Sequence, residues 1–258
     1  MRSMRFERVF VRASAACVGP MEGAGPLGKH FDHVSADLYD GEDSFEKAEI
    51  TWVKRACDRT LRKAGMVPSQ LEGAIGGDLM NQLLATHYFA RSLSAPFIGV
   101  YAACATSSLA MGMAALCIEQ QQTRNMLVVT SSHNATAERQ YRFPNEYGVQ
   151  KKETTTTTVS AGTGVLLSDA RTQIQVSGCT LGRIIDWHFS DASDMGTAMA
   201  PAAFDTLMRH LSLTKTSLSD YDQILTGDLS AAGFALFKDL LQQQGYASLE
   251  MLGDCGLL

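Results

Sequence analysis

Pro96-Phe-Ile-Gly-Val-Tyr-Ala-Ala-Cys104-Ala-Thr-Ser-Ser108-Leu-Ala-Met111 is the stretch that decides the fold. A short apolar run reads as a buried strand, and it ends on two alanines followed at once by cysteine. A helix then begins, with Thr106 or Ser107 placed to cap it. From Leu109 to Ile118 no polar residue precedes Glu119, the pattern of a helix buried all round. Its small residues would let another helix approach closely. A sulfur at the start of such a helix stands at the positive end of the helix dipole, where a thiolate is favoured.

Working outward, Arg5–Cys17 is β-rich and a Gly-rich loop fills Gly19 to Gly41. Asp43-Ser-Phe-Glu46 opens a helix that Gly65 stops. Phe45, Ala48, Trp52, Val53, Ala56, Thr60, Leu61 and Ala64 share its apolar face. Pro68-Ser-Gln reads as one helical turn and Gly73-Ala-Ile-Gly-Gly-Asp78-Leu as a short buried strand ending in a turn. A helix over 82–92, a strand over 97–101, a helix over 104–122 and a strand over 125–132 follow. A polar loop is expected over 133–153, with strands over 156–167 and 173–185. The same grammar then returns. A helix over 201–212, with Pro201 as its first residue, precedes Leu218-Ser-Asp. Gln223-Ile-Leu-Thr-Gly-Asp228-Leu then echoes the earlier strand, and a helix over 232–244 echoes the helix after it. The two Gly-Asp-Leu triplets, at Gly77 and Gly227, lie 150 residues apart. Repetition at that distance implies a duplicated α/β unit. The expected halves are 1–170 and 171–258, and the second falls short of the first by about sixty residues, as in a C-terminally truncated chain.

Composition narrows the function classes. Of 258 residues 45% are apolar, enough for a globular core. A net charge of −5 leaves no basic stripe for nucleic acid. The six cysteines (Cys17, Cys57, Cys104, Cys117, Cys179 and Cys255) form no CxxC pair, which argues against zinc and for reduced thiols. The charged N-terminus has no apolar stretch behind it, so no secretory signal is read, and no window approaches the length of a membrane span. Gly23–Asp32 is Gly-rich but lacks the spacing of a phosphate loop, so no nucleotide cofactor is expected.

The order of elements, with a cysteine at the head of a central helix, resembles the thiolase and β-ketoacyl-synthase fold: a duplicated α/β sandwich, here with the second half incomplete. Enzymes of that fold activate the cysteine with His/His or His/Asn pairs carried largely on second-half loops. One such loop would follow the strand that here ends at Asp228, and it offers an aspartate. The later histidines, His188 and His210, carry no mark of a base. The expectation is a site that binds and does not react. Cys104 is read either as a pocket residue or as a small buried side chain. The stretch Ser131-Ser-His133-Asn134-Ala-Thr136-Ala-Glu138-Arg139-Gln-Tyr141-Arg142 follows a strand at the same sheet end as Cys104, the end that carries ligands in open α/β sheets. Its arginines suit carboxylates, and its alternative use is an interface. Asp78 and Asp228 close matching strands; turn-capping is the stronger reading, a ligand or Ca2+ contact the weaker.

A closer resemblance comes from longer motifs. Gly25-Pro-Leu-Gly-Lys-His-Phe-Asp32, Gly77-Asp-Leu-Met-Asn-Gln82, Ser131–Gln140, Asp194-Met-Gly-Thr-Ala-Met-Ala-Pro-Ala-Ala203 and Ile224-Leu-Thr-Gly-Asp-Leu-Ser230 are similar to the stage V sporulation protein AD family, the thiolase-like component of the spore SpoVA system. The resemblance implies a non-enzymatic protein that binds dipicolinic acid (pyridine-2,6-dicarboxylate), alone or as its calcium chelate, for uptake into the developing endospore. It also implies other SpoVA proteins as partners at the spore inner membrane, and a homodimer. A flat dianion needs a slot with an apolar floor and donors for two carboxylates. Cys104 with its neighbouring amides, His133, Asn134 and Arg139 are the expected walls; Arg142, Asp78 and Asp228 are further candidates. The rival readings are a ketosynthase-III-like acyltransferase using Cys104 and a purely structural subunit.

Overall fold

The structure is a computed structural model that describes residues 3–141, 153–154, 156–191 and 193–257. The chain forms two compact units. The larger is Arg5–Tyr147 with Thr158–Gly178; the smaller is the stretch from Cys179 onward with short pieces from residues 1–4 and 148–157. Elements run β1 (Met4–Arg5), β2 (Phe10–Val18), α1 (Pro20–Ala24), β3 (His33–Val34), α2 (Phe45–Lys63), β4 (Ala74–Gly77), α3 (Leu84–Ala90), β5 (Phe97–Gly99), α4 (Thr106–Glu119), β6 (Asn125–Ser132), α5 (Asn134–Tyr141), β7 (Ala161–Ser168) and β8 (Gly178–Cys179). Then come α6 (Met195–Thr214), β9 (Ile224–Thr226), α7 (Ser230–Gln243) and β10 (Leu252–Asp254).

In the larger unit six strands form one sheet in the order β3-β2-β7-β6-β4-β5. The pairs of β4 with β5 and with β6 are parallel, and β7 runs antiparallel to β2 and β6. Helix α2 lies on one face. Ser44 caps it by accepting the Lys47 N–H at 3.3 Å, and its buried side includes Ala48, Trp52, Val53, Ala56, Cys57, Thr60 and Leu61. Glycines on β7 let it sit close: a Cβ on Gly162 would stand 2.3 Å from the Val53 nitrogen, and one on Gly164 3.1 Å from Cys57 Cα. Val53, Cys57 and Leu61 join Phe89, Leu127, Val129 and Leu166 in one apolar cluster. Ile75 and Val128 alternate with those strand residues, so the pleat turns them to the face that α4 covers. There Ala110, Ala114 and Ile118 are fully buried.

In the smaller unit α6 and α7 cross where Gly196 meets Gly233; a Cβ on Gly233 would be 2.5 Å from the Gly196 carbonyl carbon. Ala200, Leu229, Phe234, Phe237 and Leu241 fill the core. β9 and β10 pair in parallel, Ile224 with Leu252 and Thr226 with Asp254. The echo read from sequence is visible within each unit. A 3-10 turn, Pro68–Gln70 or Leu218–Asp220, leads to a strand, a helix and a parallel second strand. Each turn is closed by a side chain bonded to the preceding amide, Gln70 to Val67 N and Asp220 to Ser217 N.

Several boundaries differ from expectation. The polar loop after β6 opens with a helix, α5. Residues 156–160 are not strand; Ser160 instead accepts the Gly19 N–H on its carbonyl and donates its own N–H to Glu22. Of the strand expected over 173–185 only a bridge at Gln175 and the two residues of β8 form. Helix α6 starts six residues before Pro201, because the Asp194 carboxylate caps it through the Thr197 N–H at 2.9 Å. Pro201 is therefore buried inside the helix and is not its first residue. No helix among the described residues is long and apolar enough to cross a membrane.

Candidate functional site

The carboxyl ends of β4, β5 and β6 finish along one edge of the larger sheet, and four of the expected site residues lie there. Beyond β5 the chain turns sharply. Val100 donates its N–H to Gly76 O at 2.8 Å, and the Thr106 hydroxyl accepts the Ala102 N–H at 3.0 Å. Ala103 takes a left-handed backbone, φ 47°, an unfavourable conformation for a residue with a Cβ. Ala103–Ala105 form a 3-10 turn, so α4 begins at Thr106 and its N-cap, Ala105, supplies no side chain. Thr106 braces the turn and does not cap the helix. Cys104 stands on that turn, exposed, ahead of the helix tip.

At the end of β6 the expected polar wall proves to be an anchor. His133 is fully buried. Its Nε2 lies 2.9 Å from Leu38 O and its Nδ1 accepts the Ala135 N–H at 3.1 Å. These partners assign a neutral ring with the proton on Nε2. Trp52 stacks on the ring and Phe45 tilts against it. With both nitrogens committed inside the protein, His133 is not available as a ligand contact. Asn134 donates its Nδ2–H to Thr158 O at 3.1 Å, and its backbone N–H to Ser160 Oγ at 2.9 Å. It therefore staples α5 to the segment entering β7. Arg139 belongs to α5, but its side chain lies outside the described residues, as does the whole of Arg142.

Asp78, at the end of β4, is buried and fully engaged. Oδ1 accepts the Met80 N–H at 2.9 Å; Oδ2 accepts the Thr86 N–H at 2.8 Å and the Thr86 hydroxyl at 2.7 Å. Burial raises its carboxyl above the ordinary range, while these donors pull it back. Asp228 belongs to the smaller unit. Its carboxylate accepts the N–H of Ser230 at 2.8 Å and that of Thr157. Both aspartates thus close the turn after their strand in the same way, through the N–H two residues on. That matches the turn-capping reading. Among the described residues no group of three or more His, Cys, Asp or Glu could hold a metal ion.

Three further histidines are placed as follows. His87 Nδ1 is 3.0 Å from Gln82 O and 2.9 Å from Leu83 O. His188 is exposed, with Asp186 Oδ2 at 3.3 Å. His210 is half-buried between Thr180 Oγ1, 2.8 Å from Nδ1, and the Tyr221 hydroxyl, 2.7 Å from Nε2; burial lowers its pKa. One residue escaped the sequence reading. Glu49 sits in the apolar stripe of α2 between Ala48 and Trp52 and is fully buried. Its Oε1 accepts the Ser131 hydroxyl at 2.8 Å, and its Oε2 lies 3.3 Å from Thr136 Oγ1. Burial, and then the nearby charge of Asp78, push its pKa up to about 8. A lone carboxylate at a core position of an amphipathic helix was the signal for it.

Comparison with known proteins places this geometry. A crystal structure of a cysteine-to-alanine variant of OleA from Xanthomonas campestris superposes with a TM-score of 0.67. The identity is 13%, over 97% of this chain and 83% of that one. A glutamate-to-aspartate OleA bound with cerulenin gives 0.64 at 14% identity, over 97% and 83%. At that identity the likeness concerns fold, and the fold is thiolase-like. Stage V sporulation protein AD of Bacillus subtilis (strain 168) is 39% identical over 250 residues, covering 97% of this chain and 74% of that protein. The family model described as stage V sporulation protein AD (SpoVAD) matches residues 1–258. On both counts the chain belongs to the SpoVAD family.

Proposed function

We propose that this chain binds dipicolinic acid, free or as its calcium chelate, without turning it over, and so serves its uptake into the developing endospore. Its family is a sporulation family, that of the SpoVA system. The observation that carries the non-catalytic reading is the fate of Asp228. Where condensing enzymes of this fold place a base, this chain has a carboxylate spent on capping a turn, with Ser230 and Thr157 as its donors. Two features support this: backbone N–H groups stand at the head of a fourteen-residue helix, where an anion is favoured, and the sequence of α5 carries Arg139. In this reading Arg139 meets one carboxylate and the turn at Cys104 meets the other. Other SpoVA proteins supply the attachment to the spore inner membrane, and β5, an edge strand, joins a second copy in a homodimer.

Titration calorimetry with dipicolinate, with and without Ca2+, tests the reading. Saturable binding is expected, weakened far more by Arg139→Ala than by Lys152→Ala. No saturable heat in either condition overturns it and leaves a structural subunit. A second reading, acyl transfer on Cys104, rests on the strained turn at Ala103 that presents the exposed thiol. An acyl-CoA assay decides it: acylation of Cys104 with turnover, lost in Cys104→Ala, would replace the binding proposal.

A further inference from the structure

Three groups meet beneath the Cys104 edge and are not explained by capping alone: Glu49 on α2, Ser131 at the end of β6, and Thr136 in the first turn of α5. Their hydrogens can be counted. Thr136 Oγ1 lies 3.0 Å from His133 O, which also takes the Ala137 N–H, and 3.3 Å from Glu49 Oε2, long for a hydroxyl bonded to a carboxylate anion, so the single hydroxyl hydrogen goes to the nearer carbonyl. Its oxygen then faces Glu49 Oε2 at 3.3 Å as an acceptor and needs a donor. A protonated Glu49 supplies one, while its other oxygen accepts from Ser131 Oγ at 2.8 Å. Asp78 differs in kind. Two of its three donors are backbone N–H groups, which cannot reverse, so Asp78 is the carboxylate that ionises and Glu49 the one that keeps its proton.

We propose that Glu49 is a positioning residue, a proton-dependent latch that fixes the β6–α5 junction through Ser131 and Thr136 as long as it is protonated. Among the described residues the charged groups acting on it are Asp78, at the end of β4, and Glu46, on its own helix; both are acidic, and neither offers an ion pair. The ring of His133, on the α5 side, is neutral. From α3, Thr86 bonds to Asp78 and not to Glu49. Loss of the proton sets a buried anion against the Thr136 oxygen. Thr136 relieves this by turning its hydroxyl from His133 O, which then keeps one of its two bonds, that from the Ala137 N–H, and the first turn of α5 loosens. The consequence for ligand rests on the binding reading above, because α5 carries Arg139.

The test is hydrogen exchange of α5 relative to α4 in the unliganded protein between pH 5 and 9.5, corrected for intrinsic base catalysis, for the parent and Glu49→Gln. The glutamine reproduces the protonated acid, donating from Nε2 to Thr136 and accepting from Ser131. In the parent, α5 protection is expected to fall about tenfold per pH unit up to pH 8 and then level off. In Glu49→Gln it stays flat and matches the parent at pH 5. Identical profiles, or loss of α5 protection in Glu49→Gln at every pH, overturn the latch. Should Glu49→Gln not fold, Thr136→Val removes the acceptor and must abolish the same pH step. Dipicolinate affinity in the parent is expected to be level below pH 8 and to weaken up to tenfold per unit above it, with no such limb in Glu49→Gln. Absence of dipicolinate binding at all pH values, with the exchange step intact, sinks the binding reading and leaves the latch standing.

Discussion

The rings of Trp52 and His133 lie parallel, 5.1 Å apart at their centroids and 2° between planes. Both are fully buried, one on α2 and the other at the N-terminus of α5. The stack therefore ties α2 to the edge of the sheet at which the candidate site lies. His133 adds two polar ties: Nε2–H to the loop after β3 at Leu38, and Nδ1 to the second residue of α5. One side chain thus fixes the height of a loop, a helix start and a helix face together.

His133→Ala removes the stack, leaves Leu38 O without its donor and takes away the cap of α5. The expected loss is about 3–4 kcal/mol, combining a cavity term with an unsatisfied acceptor. His133→Asn keeps a good N-cap and should lose roughly half as much. Urea unfolding of the three proteins measures this. Equal stability of the alanine variant and the parent would show that the ring is not an anchor.

The crossing of α6 and α7 gives a test in the smaller unit. A methyl group at Gly233 meets the backbone of Gly196 at 2.5 Å, and backbone cannot swing aside as a side chain can. Gly233→Ala should destabilise that unit by about 2–4 kcal/mol. Ala231→Ser, at an exposed position of the same helix, should fall within about 0.5 kcal/mol of the parent. Exchange of α6 and α7 amides reads the difference, and equal protection in the two variants contradicts the close crossing.

Periodicity made the fold legible wherever one residue type decides one face. The stripe from Ala48 to Leu61 placed α2, and the two Gly-Asp-Leu triplets placed β4 and β9 in matching surroundings. Periodicity failed where a distant partner decides. Pro201 looks like a helix start because proline is favoured there, yet the Asp194 cap and the Gly196–Gly233 contact carry α6 upstream of it. Gln173–Ile185 has strand-forming residues, but its backbone partners are piecemeal: Ile174 with Val11, Val176 with Val9, Ser177 with Phe6, and β8 with β1. The site was legible in part. Cys104 and Asp78 stand where the pattern put them, at strand ends. His133 lies at the expected place with the opposite role, because a ring between Trp52 and Phe45 belongs to the core. Residue type alone does not say which way a histidine turns after a strand. Glu49 was hidden by its setting: a charge among apolar neighbours looks like noise until the hydroxyls of Ser131 and Thr136 are brought to it.

Thiol reactivity should follow burial and local charge. Burial pushes the Cys17 thiol up to about 11, against the pull of Arg59 and Arg55, and burial also raises Cys57. Cys255 is exposed, yet burial of its sulfur and then Asp254 and Asp228 raise it. At pH 8 a thiol of pKa about 11 is ionised in about one molecule in a thousand. A maleimide at pH 8 should therefore modify Cys104 first, then Cys255, with Cys17 and Cys57 labelled only at the rate of local opening. Mass spectrometry of a time course gives the order. Dipicolinate should slow Cys104 alone; protection spread evenly over the cysteines would count against a ligand at that turn.

Glu49 also sets a sign for stability against pH. Its carboxyl titrates near 4.5 when the chain is unfolded and is raised to about 8 in the fold. The folded state therefore holds a proton that the unfolded state has released throughout that window. Its contribution is fully present below about pH 4.5, declines as pH rises, and is gone above about pH 8. Within the window the slope approaches 1.4 kcal/mol per pH unit. Glu49→Gln carries no titrating proton, so the difference in unfolding free energy between variant and parent should grow from pH 5 to pH 8 and then stay constant. Paired urea titrations at pH 5, 6.5, 8 and 9 isolate this term, because every other titrating group is common to the two proteins. A difference that does not change with pH would mean that Glu49 is ionised in the folded protein. Thr136 would then donate to Glu49 and not to His133 O, and the hydrogen count behind the latch would have to be reversed.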